Sequence, residues 1–342
     1  MRAVVIPRHG GPDVLEVQEL PDPPVGAGEI RIAVKAAGIN FADLMARAGT
    51  YPDAPPLPSV IGYDVAGEVE SVGDGVESHS VGDQVLAGTR FGGYAELVTV
   101  AEDQALPLPE AMSFEQGAGF VVNYTTAYAG LIVMGGLRAG DRMLIHAAAG
   151  GVGIAATQVA RSVGAEIFGT ASASKHDAIR EQGVDHPIDY RSQDFLEEVM
   201  RITDGEGVDV VMDAIGPSSF RRSYKALRQG GRLVMFGLAE VQTGPKRDIP
   251  ALLKGLARMP GATMPWWKSL AIMNENKGVF GLNMLKWWDR EGLDRVIEPL
   301  ALPLAAGELM PVVAESFPFD RAADAHRYLA EGRNIGKVVL TP

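Results

Sequence analysis

Cysteine is missing from all 342 residues of the chain. Its absence excludes disulfide bonds, thiolate zinc sites and cysteine nucleophiles. Histidine is scarce, and the spacing of the six histidines gives no close ligand pair of the kind that zinc requires. We therefore expect no metal site on His9, His79, His146, His176, His186 or His326.

Basic clusters and long apolar runs are missing too. The formal net charge is −12, and no block of Lys and Arg offers a surface for nucleic acid. No apolar run approaches the roughly 20 residues of a membrane-spanning helix, and residues 1–6 are typical of a strand rather than of a leader peptide. A length of 342 residues is enough for about two domains, and 46% hydrophobic residues is an ordinary soluble composition. From the lack of a leader and of a membrane span, we expect a cytoplasmic protein.

Short strands separated by Gly and Pro turns fill the chain up to about residue 100. Ile30, Ile32 and Val34 occupy every second position, the pattern of a strand with one buried face. A short helix over residues 38–47 places Asn40 and Asp43 one turn apart, so that both can face one site. Further strands are predicted at 65–72, 84–87 and 94–100, which favours a barrel-like sheet.

A glycine-rich turn follows the apolar run 143–145. A helix is predicted to follow it as far as Val163, with Gly164 as its C-terminal cap. Strand, glycine turn and helix are the context of a dinucleotide-binding motif, although Ala148 stands where the first glycine of G-x-G-x-x-G would be. An ordinary turn between a strand and a helix is the alternative.

Strands and helices then alternate regularly. Such alternation predicts an α/β fold with a doubly wound parallel sheet and helices on both faces. The predicted strands are 142–147, 166–170, 188–190, 208–212 and 232–236, and the predicted helices are the one that follows the glycine turn to Val163 and those at 175–182, 195–202 and 219–227.

Regular alternation stops after Leu238. The following region is apolar and aromatic, with the pairs Trp266-Trp267 and Trp287-Trp288. It is open to three interpretations: a wall or lid of a substrate pocket, a subunit contact, or a patch on a membrane surface. Alternation returns in residues 336–340, a closing strand predicted to rejoin the first domain.

Several motifs together have the pattern of a known family: Asn40-Phe41-Ala42-Asp43, Tyr51-Pro52, Ala148-Ala149-Gly150-Gly151-Val152-Gly153 and Gly336-Lys337-Val338-Val339-Leu340. They resemble the zinc-free quinone reductase branch of the medium-chain dehydrogenase/reductase superfamily, across essentially the whole chain. Within that branch, residues 168–176 and 183–190 are similar to the vesicle amine transport protein group. The resemblance implies a GroES-like catalytic domain (1–123), an NADPH-binding Rossmann domain (124–265) and a return to the catalytic domain (266–342).

The chain departs from the zinc-dependent alcohol dehydrogenases of that superfamily. It has Ala37-Gly38-Ile39-Asn40 where they place a catalytic cysteine, and Gly62-Tyr63-Asp64 where they have Gly-His-Glu. Their cysteine-rich lobe is replaced by residues 90–94. The resemblance therefore implies a site without zinc.

The end of the second strand indicates which nicotinamide cofactor is used. NAD sites usually place Asp or Glu there, about 20 residues past the glycine turn, but this chain has Thr170-Ala171-Ser172, with Lys175 just beyond. A 2′-phosphate is the better fit, and Tyr190 can close over it. A solvated lysine at a helix start is the alternative for Lys175. The resemblance, in which a matching Lys and Tyr hold the 2′-phosphate, favours NADPH.

The resemblance implies further cofactor contacts. Phe236 and Gly237 have independent support, because they end a parallel strand, where the crevice of such a sheet opens. For Thr126 and Asn283, ordinary capping is the alternative. The residues that the resemblance assigns to the cofactor are Asn40, Thr126, Gly150, Gly151, Val152, Gly153, Gly216, Phe236, Gly237, Phe280, Gly281, Leu282 and Asn283.

Without a metal, the expected reaction is hydride transfer to an acceptor that is already electrophilic, a quinone or an α,β-unsaturated carbonyl compound. We expect Asn40 and Tyr51 near the acceptor oxygen, with Tyr51 as a proton donor and Asp43 orienting. Packing of Tyr51 and capping by Asp43 are the alternatives. A membrane- or lipid-associated binding protein with little catalysis is the alternative function, and family expectation adds a homodimer.

Overall fold

Strand β3 (Glu29–Ile39) shows how the sequence builds the first sheet. Ile30, Ile32 and Val34 are buried, and the side chains between them are at least partly exposed. A strand with alternating exposure packs one face on a core. β3 pairs antiparallel with three other strands, so the predicted strand is confirmed and organises its sheet.

The computed structural model describes residues 1–242, 269–292 and 294–342. These residues form two compact units: unit 1 is residues 1–123 and 294–342, and unit 2 is residues 124–242 and 269–292. The other described strands are β1 (Arg2–Ile6), β2 (Glu16–Glu19), β4 (Ser59–Val60), β5 (Asp64–Val72), β6 (Gln84–Gly88), β7 (Leu97–Ala101), β8 (Ala105–Pro107), β9 (Arg142–Ile145), β10 (Glu166–Ala171), β11 (His186–Asp189), β12 (Val208–Asp213), β13 (Leu227–Met235), β14 (Gly278–Gly281), β15 (Val313–Pro318) and β16 (Lys337–Thr341). The described α-helices are α1 (Phe41–Ala48), α2 (Phe114–Gly117), α3 (Val121–Tyr128), α4 (Gly151–Val163), α5 (His176–Gln182), α6 (Phe195–Ile202), α7 (Pro217–Ala226), α8 (Ser269–Glu275), α9 (Met284–Glu291), α10 (Asp294–Ala305) and α11 (Ala322–Ala330).

Two sheets make up unit 1 in the described part of the chain. One follows the order β15-β16-β3-β5-β6-β8 with β7 also on β3, and the other follows the order β2-β1-β4. Aliphatic side chains of both sheets share one buried cluster that includes Val4, Ile6, Ile30, Val65 and Val85. β16 runs antiparallel to β3, with Val338 opposite Ile39. The closing strand therefore returns to the first sheet, as predicted.

Unit 2 contains a parallel sheet of six described strands in the order β11-β10-β9-β12-β13-β14. The chain leaves β9 toward one edge through β10 and β11, then continues on the other side with β12. That order is the doubly wound arrangement. Every residue of β12 is buried, as expected for a strand covered on both faces. The predicted doubly wound parallel sheet is confirmed.

β14 lies beyond the predicted end of the nucleotide-binding domain. The sequence places the return to the catalytic domain at residue 266, but β14 pairs in parallel with β13, Arg232 opposite Gly278. Residues 269–292 accordingly group with unit 2. A four-residue strand after an irregular stretch has too little periodicity to identify its partner. Trp266 and Trp267 lie outside the described residues, whereas Trp287 and Trp288 are half-buried on α9.

One helical stretch exceeds the expected length of apolar runs. Phe114–Met134 is 21 residues long with a mean hydropathy of 1.2, so by length and composition alone it could cross a membrane. The expectation that no run approaches this length was wrong. In the 18-residue apolar window of this stretch, 72% is buried within the chain, a property that core helices of soluble proteins share. It is weak evidence for a span.

Candidate active site

The glycine-rich turn joins β9 to α4 in unit 2. Gly150 is the N-cap of α4 with an extended backbone (φ −81°, ψ 173°), and Ile154 N donates to Gly150 O at 2.9 Å. Ala147, at the start of the turn, has a left-handed backbone with φ 55°. Such a conformation costs a residue with a side chain roughly 1–3 kcal/mol, and functional sites are enriched in it.

The second and third glycines of the motif, Gly150 and Gly153, have different functions in the turn. A Cβ atom at Gly153 would lie 2.4 Å from the carbonyl oxygen of Ala147 and 2.6 Å from Ala148 backbone atoms, so no side chain fits there. A Cβ atom at Gly150 would meet only the Ala147 oxygen, at 3.3 Å. Gly153 thus allows close packing and Gly150 leaves the helix N-terminus open, the two functions that a dinucleotide motif requires. Amides at the start of this 13-residue helix suit a pyrophosphate.

Polar and basic side chains follow β10 and β11, where the strands end. Ser172 is buried and its hydroxyl lies 3.3 Å from that of Ser174. Burial lowers the pKa of Lys175, and the neighbouring Arg191 guanidinium lowers it further. Arg191 also lies over the ring of Tyr190, which is 57% exposed, at 5.8 Å. Two neighbouring cations beside hydroxyl groups fit a phosphate dianion.

Arg191 was not among the predicted site residues. Its signal in the sequence is its position directly after Tyr190, at the end of a strand whose carboxyl edge carries the site. Parallel strands bring their carboxyl ends to one edge of a sheet, so the residue after any predicted ligand there is itself a candidate.

The other predicted cofactor residues of unit 2 lie mostly along the same edge. Gly216 follows β12 with φ 134°, which requires glycine. Phe236 and Gly237 follow β13, and a Cβ atom at Gly237 would lie 2.9 Å from that of Ala214. Phe280 and Gly281 end β14 and Leu282 follows. The structure therefore brings these residues to one edge of the sheet.

One of the remaining predicted residues, Asn283, has the alternative role of a helix cap. Asn283 is the N-cap of α9, with its side-chain oxygen accepting from Leu285 N at 3.1 Å and Lys286 N at 3.3 Å. Thr126 is buried within α3. Asn283 therefore has a structural function that is independent of any ligand.

In unit 1, Asn40 belongs to a buried triangle with Asp64 and Lys337. Lys337 Nζ donates to Asp64 Oδ2 and to Asn40 Oδ1, both at 2.7 Å, and Asn40 Nδ2 donates to Asp64 Oδ2 at 2.8 Å. Exposed fractions are 8% for Asn40, 0% for Asp64 and 3% for Lys337. Because an ammonium only donates and a carboxylate only accepts, the neighbours fix which way the Asn40 amide faces. Asn40 Nδ2 also lies 3.5 Å from Gly38 O, at the long limit of a hydrogen bond.

Local sequence patterns predict no role for Lys337 or Asp64 in this triangle. Asp64 was noted only as a departure from a zinc ligand, and Lys337 only as part of the closing strand. Gly38 makes room for them, since a Cβ atom there would lie 2.5 Å from Lys337 Cε and 2.0 Å from Ala118 O. The contact joins residues 297 positions apart in the sequence, which local patterns do not report.

Asp43 faces a different set of partners. Its Oδ2 atom accepts from Asn40 N at 2.7 Å, which caps α1, and from the Tyr94 hydroxyl at 2.9 Å. Behind Tyr94 lies His326, whose Nδ1 atom is 3.1 Å from Arg47. The predicted capping alternative for Asp43 is thus present, together with a buried polar chain that the sequence did not reveal.

Tyr51, the predicted proton donor, lies beside Tyr63. Burial raises the pKa of Tyr51 to about 12, and the charge of Asp53 adds to the effect. Burial raises the pKa of Tyr63 still more strongly, and Asp43 contributes. Both hydroxyls therefore remain protonated at neutral pH and can donate.

No group of three or more His, Asp or Glu side chains in the described ranges is placed to hold a metal ion. Asp64, at the position of a glutamate in zinc enzymes, is instead paired with Lys337. The side chains present are thus suited to stabilising charge on a bound molecule through hydrogen bonds and charged groups.

Comparisons with known proteins agree with this geometry. Residues 26–110 match the Alcohol dehydrogenase GroES-like domain family and residues 182–340 match the Zinc-binding dehydrogenase family. The synaptic vesicle membrane protein VAT-1 homolog of Rattus norvegicus is 41% identical over 352 aligned positions, covering 100% of this chain and 84% of that protein.

Two solved structures extend the comparison. Escherichia coli quinone oxidoreductase complexed with NADPH has 32% identity and a TM-score of 0.84, with 100% of both chains covered. The CurK enoyl reductase has 28% identity and a TM-score of 0.84, with 99% of this chain and 98% of that chain covered.

A GroES-like domain and a doubly wound sheet with a dinucleotide turn define an oxidoreductase of the NAD(P) class. The chain belongs to the medium-chain dehydrogenase/reductase superfamily, in its zinc-free quinone oxidoreductase branch near the VAT-1 group. The expected fold and family are thereby confirmed, and a small molecule is the substrate.

Proposed function

We propose that the chain is an NADPH-dependent reductase of quinones or α,β-unsaturated carbonyl compounds that works without zinc. The observation that carries the proposal is the polar edge after β10. Ser172 and Lys175 stand where an NAD site would place a carboxylate, and Arg191 adds a second positive charge there. A carboxylate would repel a 2′-phosphate, whereas these side chains attract it.

Different residues of unit 2 would bind different parts of the cofactor. The N-terminus of α4, opened by Gly150, would hold the pyrophosphate. Ser172, Lys175, Tyr190 and Arg191 would hold the 2′-phosphate. When bound, NADPH supplies a hydride to the acceptor.

Asn40 is the proposed donor to the acceptor oxygen. Reduction of a quinone or an enone places negative charge on that oxygen, and a preorganised donor stabilises the charge. Lys337 and Asp64 hold the Asn40 amide in one orientation, and the Lys337 ammonium adds positive potential beside it. Names of related proteins, a quinone oxidoreductase and an enoyl reductase, support this class of acceptor.

Stopped-flow absorbance with a panel of quinones, enones and enoyl thioesters tests the proposal. We expect loss of the nicotinamide absorbance of NADPH with at least one acceptor, and much slower loss with NADH. Vesicle co-sedimentation, run in parallel, tests the alternative of a membrane- or lipid-associated binding protein. An inactive panel combined with vesicle binding would favour that alternative and contradict the reductase.

The proposal includes a cytoplasmic homodimer, on the resemblance to the family. Light scattering after gel filtration measures the mass of the particle in solution. We expect the mass of two chains; the mass of one chain would contradict the dimer without affecting the proposed reaction.

A further inference from the structure

A buried chain of hydrogen bonds crosses the carboxyl edge of the sheet in unit 2. His146, directly after β9, has its Nδ1 atom 3.1 Å from Thr170 Oγ1 and its Nε2 atom 3.0 Å from Ser223 Oγ. The Ser223 hydroxyl in turn donates to Asp213 Oδ2 at 2.6 Å. All four side chains are buried. The chain therefore joins the ends of β9, β10 and β12 to α7, and none of its members is among the proposed cofactor contacts.

The donors and acceptors of this chain fix the tautomer of His146. A carboxylate only accepts, so the single hydroxyl hydrogen of Ser223 is directed at Asp213. Ser223 Oγ then accepts from His146 Nε2, and the neutral ring accepts at Nδ1 from the Thr170 hydroxyl. Burial lowers the pKa of His146, against the opposing effect of the Asp213 carboxylate, which agrees with a neutral ring. His146 is therefore held with its hydrogen on Nε2.

The Asp213 end of the chain is fixed by the backbone that follows β12. Asp213 Oδ1 accepts from Ile215 N at 2.8 Å. The Ser219 hydroxyl lies 2.9 Å from both Asp213 Oδ1 and Gly216 O. On the imidazole itself, the Phe195 ring packs edge-on with the ring centroids 4.6 Å apart. Packing and hydrogen bonds thus hold the imidazole in one orientation.

The Thr170 end of the chain leads into the residues proposed for the 2′-phosphate. Thr170 is the penultimate residue of β10, and its carbonyl oxygen accepts from Ala148 N in the glycine-rich turn at 3.0 Å. The hydroxyl bond to His146 is a second connection from this residue to the segment that carries the turn. Ser172 follows two positions later, and Lys175 three positions after that. The two connections therefore fix the point from which the 2′-phosphate segment starts.

We propose that His146 and Thr170 are positioning residues through which the site selects NADPH. The chain anchored at Asp213 holds the end of β10 so that Ser172 and Lys175 face the 2′-phosphate. This inference rests on the proposed NADPH-dependent function. NADH has a hydroxyl group in place of that phosphate, so its binding does not depend on the contacts that the chain positions. Loss of the bond between Thr170 and His146 therefore acts on NADPH and not on NADH.

Nitrogen NMR of the imidazole rings in the ligand-free protein tests the chain itself. His146→Gln identifies the resonances of His146 by their loss, and the exposed His9 is the reference for a ring in solvent. We expect a neutral His146 with its hydrogen on Nε2 at neutral pH, and an Nδ1 resonance that moves in Thr170→Val. That movement also identifies the resonance if His146→Gln does not fold. A hydrogen on Nδ1, or an Nδ1 resonance that Thr170→Val leaves in place, would overturn the proposal.

Fluorescence titration with NADPH and NADH tests what the chain positions. Thr170→Val removes the hydroxyl, and a buried hydrogen bond contributes about tenfold or less in an equilibrium constant. We expect this variant to weaken NADPH binding by roughly 3- to 10-fold and to leave NADH binding nearly unchanged. Thr170→Ser keeps the hydroxyl and should bind NADPH as wild type does. Thr170→Ala removes the same hydroxyl and replaces Thr170→Val if that variant does not fold.

Thr203→Val is the matched control. Thr203 is also a buried threonine of unit 2, and its hydroxyl donates to Val199 O at 2.8 Å. It precedes β12 and so lies toward the amino edge of the sheet, opposite the carboxyl edge that carries the proposed site. We expect Thr203→Val to lower Tm without changing the ratio of the two cofactor affinities.

The titrations distinguish failure of this inference from failure of the proposed function. Wild type that binds neither cofactor, or that binds NADH as tightly as NADPH, would contradict the proposed function and this inference with it. If wild type prefers NADPH and Thr170→Val keeps the wild-type ratio of affinities, as an effect on stability alone would, only this inference is overturned.

Discussion

Lys337 illustrates at the scale of one residue how the site depends on a buried charge. Its ammonium is the partner of both Asp64 and Asn40. We expect Lys337→Met to lower the free energy of unfolding by about 3–5 kcal/mol, because it leaves the Asp64 carboxylate buried and unpaired. Urea denaturation measures the change.

A double variant provides the control for this pair. Lys337→Met with Asp64→Asn removes the unpaired charge, so we expect it to recover a large part of the lost stability. If the single substitution costs under about 1 kcal/mol, the pair is not buried in the way the structure shows.

Lys175 is the residue on which the proposed preference for NADPH over NADH depends. Charge-assisted hydrogen bonds contribute about 1.5–3 kcal/mol, so we expect Lys175→Ala to weaken NADPH binding by roughly 10- to 100-fold and to leave NADH binding nearly unchanged. Fluorescence titration with both cofactors measures this. Arg180→Ala, which removes an exposed ion pair with Asp177 on the following helix, is the matched control and should change neither affinity. Equal weakening of both cofactors by Lys175→Ala would be evidence against a phosphate contact.

Asp43 links stability to pH. Its folded-state pKa of about 7 lies above the ordinary value of 3.8, so folding takes up a proton between these values. Stability from this group is therefore fully present below about pH 4 and falls by about 1.4 kcal/mol per pH unit up to about 7. We expect the stability of wild type relative to Asp43→Asn, from urea denaturation, to be smaller at pH 8 than at pH 5. A difference independent of pH would disagree with a buried, titrating carboxyl group.

Single residues were predictable where a local motif contained them. Asn40 and Asp43 were predicted from helical spacing to face one site, and both lie at the start of α1. The Asp43 carboxylate, however, accepts hydrogen bonds from the Asn40 backbone amide and from the Tyr94 hydroxyl. Lys337 was not predicted as a partner of Asn40, since pairing across 297 positions depends on strand register in the folded sheet.

The turn between β9 and α4 allows binding and stability to be separated at the scale of an element. In Gly153→Ala the new Cβ atom would meet backbone atoms at 2.4–2.6 Å, so we expect a loss of about 1–3 kcal/mol of stability. In Gly150→Ala it would meet a single atom at 3.3 Å, so we expect near-normal stability with NADPH binding strongly weakened. Thermal unfolding and cofactor titration of both variants measure these effects. Full NADPH affinity in Gly150→Ala would show that the pyrophosphate does not approach this glycine.

Elements with strong periodicity and clear caps were predicted within a few residues of their observed bounds. The helix predicted to end at Val163 does so, with Gly164 in the left-handed conformation at its cap. The strand predicted from residue 232 begins instead at Leu227, because β13 shifts register against β12 between the Val208 and Val210 pairs. A bulge of this kind leaves no periodic signal.

At the scale of the whole molecule, alternation of strands and helices was sufficient to predict the doubly wound sheet, because each parallel strand needs a crossover. Alternation does not show which sheet a short edge strand joins. For this reason the predicted boundary at residue 266 placed the residues of β14 in the catalytic domain instead of the nucleotide-binding domain. Periodicity also predicted the closing strand, whereas the choice of NADPH depended on the family resemblance, because composition and periodicity alone left it open.

We propose above all that unit 2 binds NADPH with its pyrophosphate at the turn before α4 and its 2′-phosphate beside Lys175 and Arg191. A crystal structure of the protein grown with NADPH measures this directly. We expect pyrophosphate density at the amides that follow Gly150, and 2′-phosphate density within hydrogen-bonding distance of Lys175. An empty turn, or a nucleotide whose 2′-phosphate lies away from Ser172, Lys175 and Arg191, would contradict it.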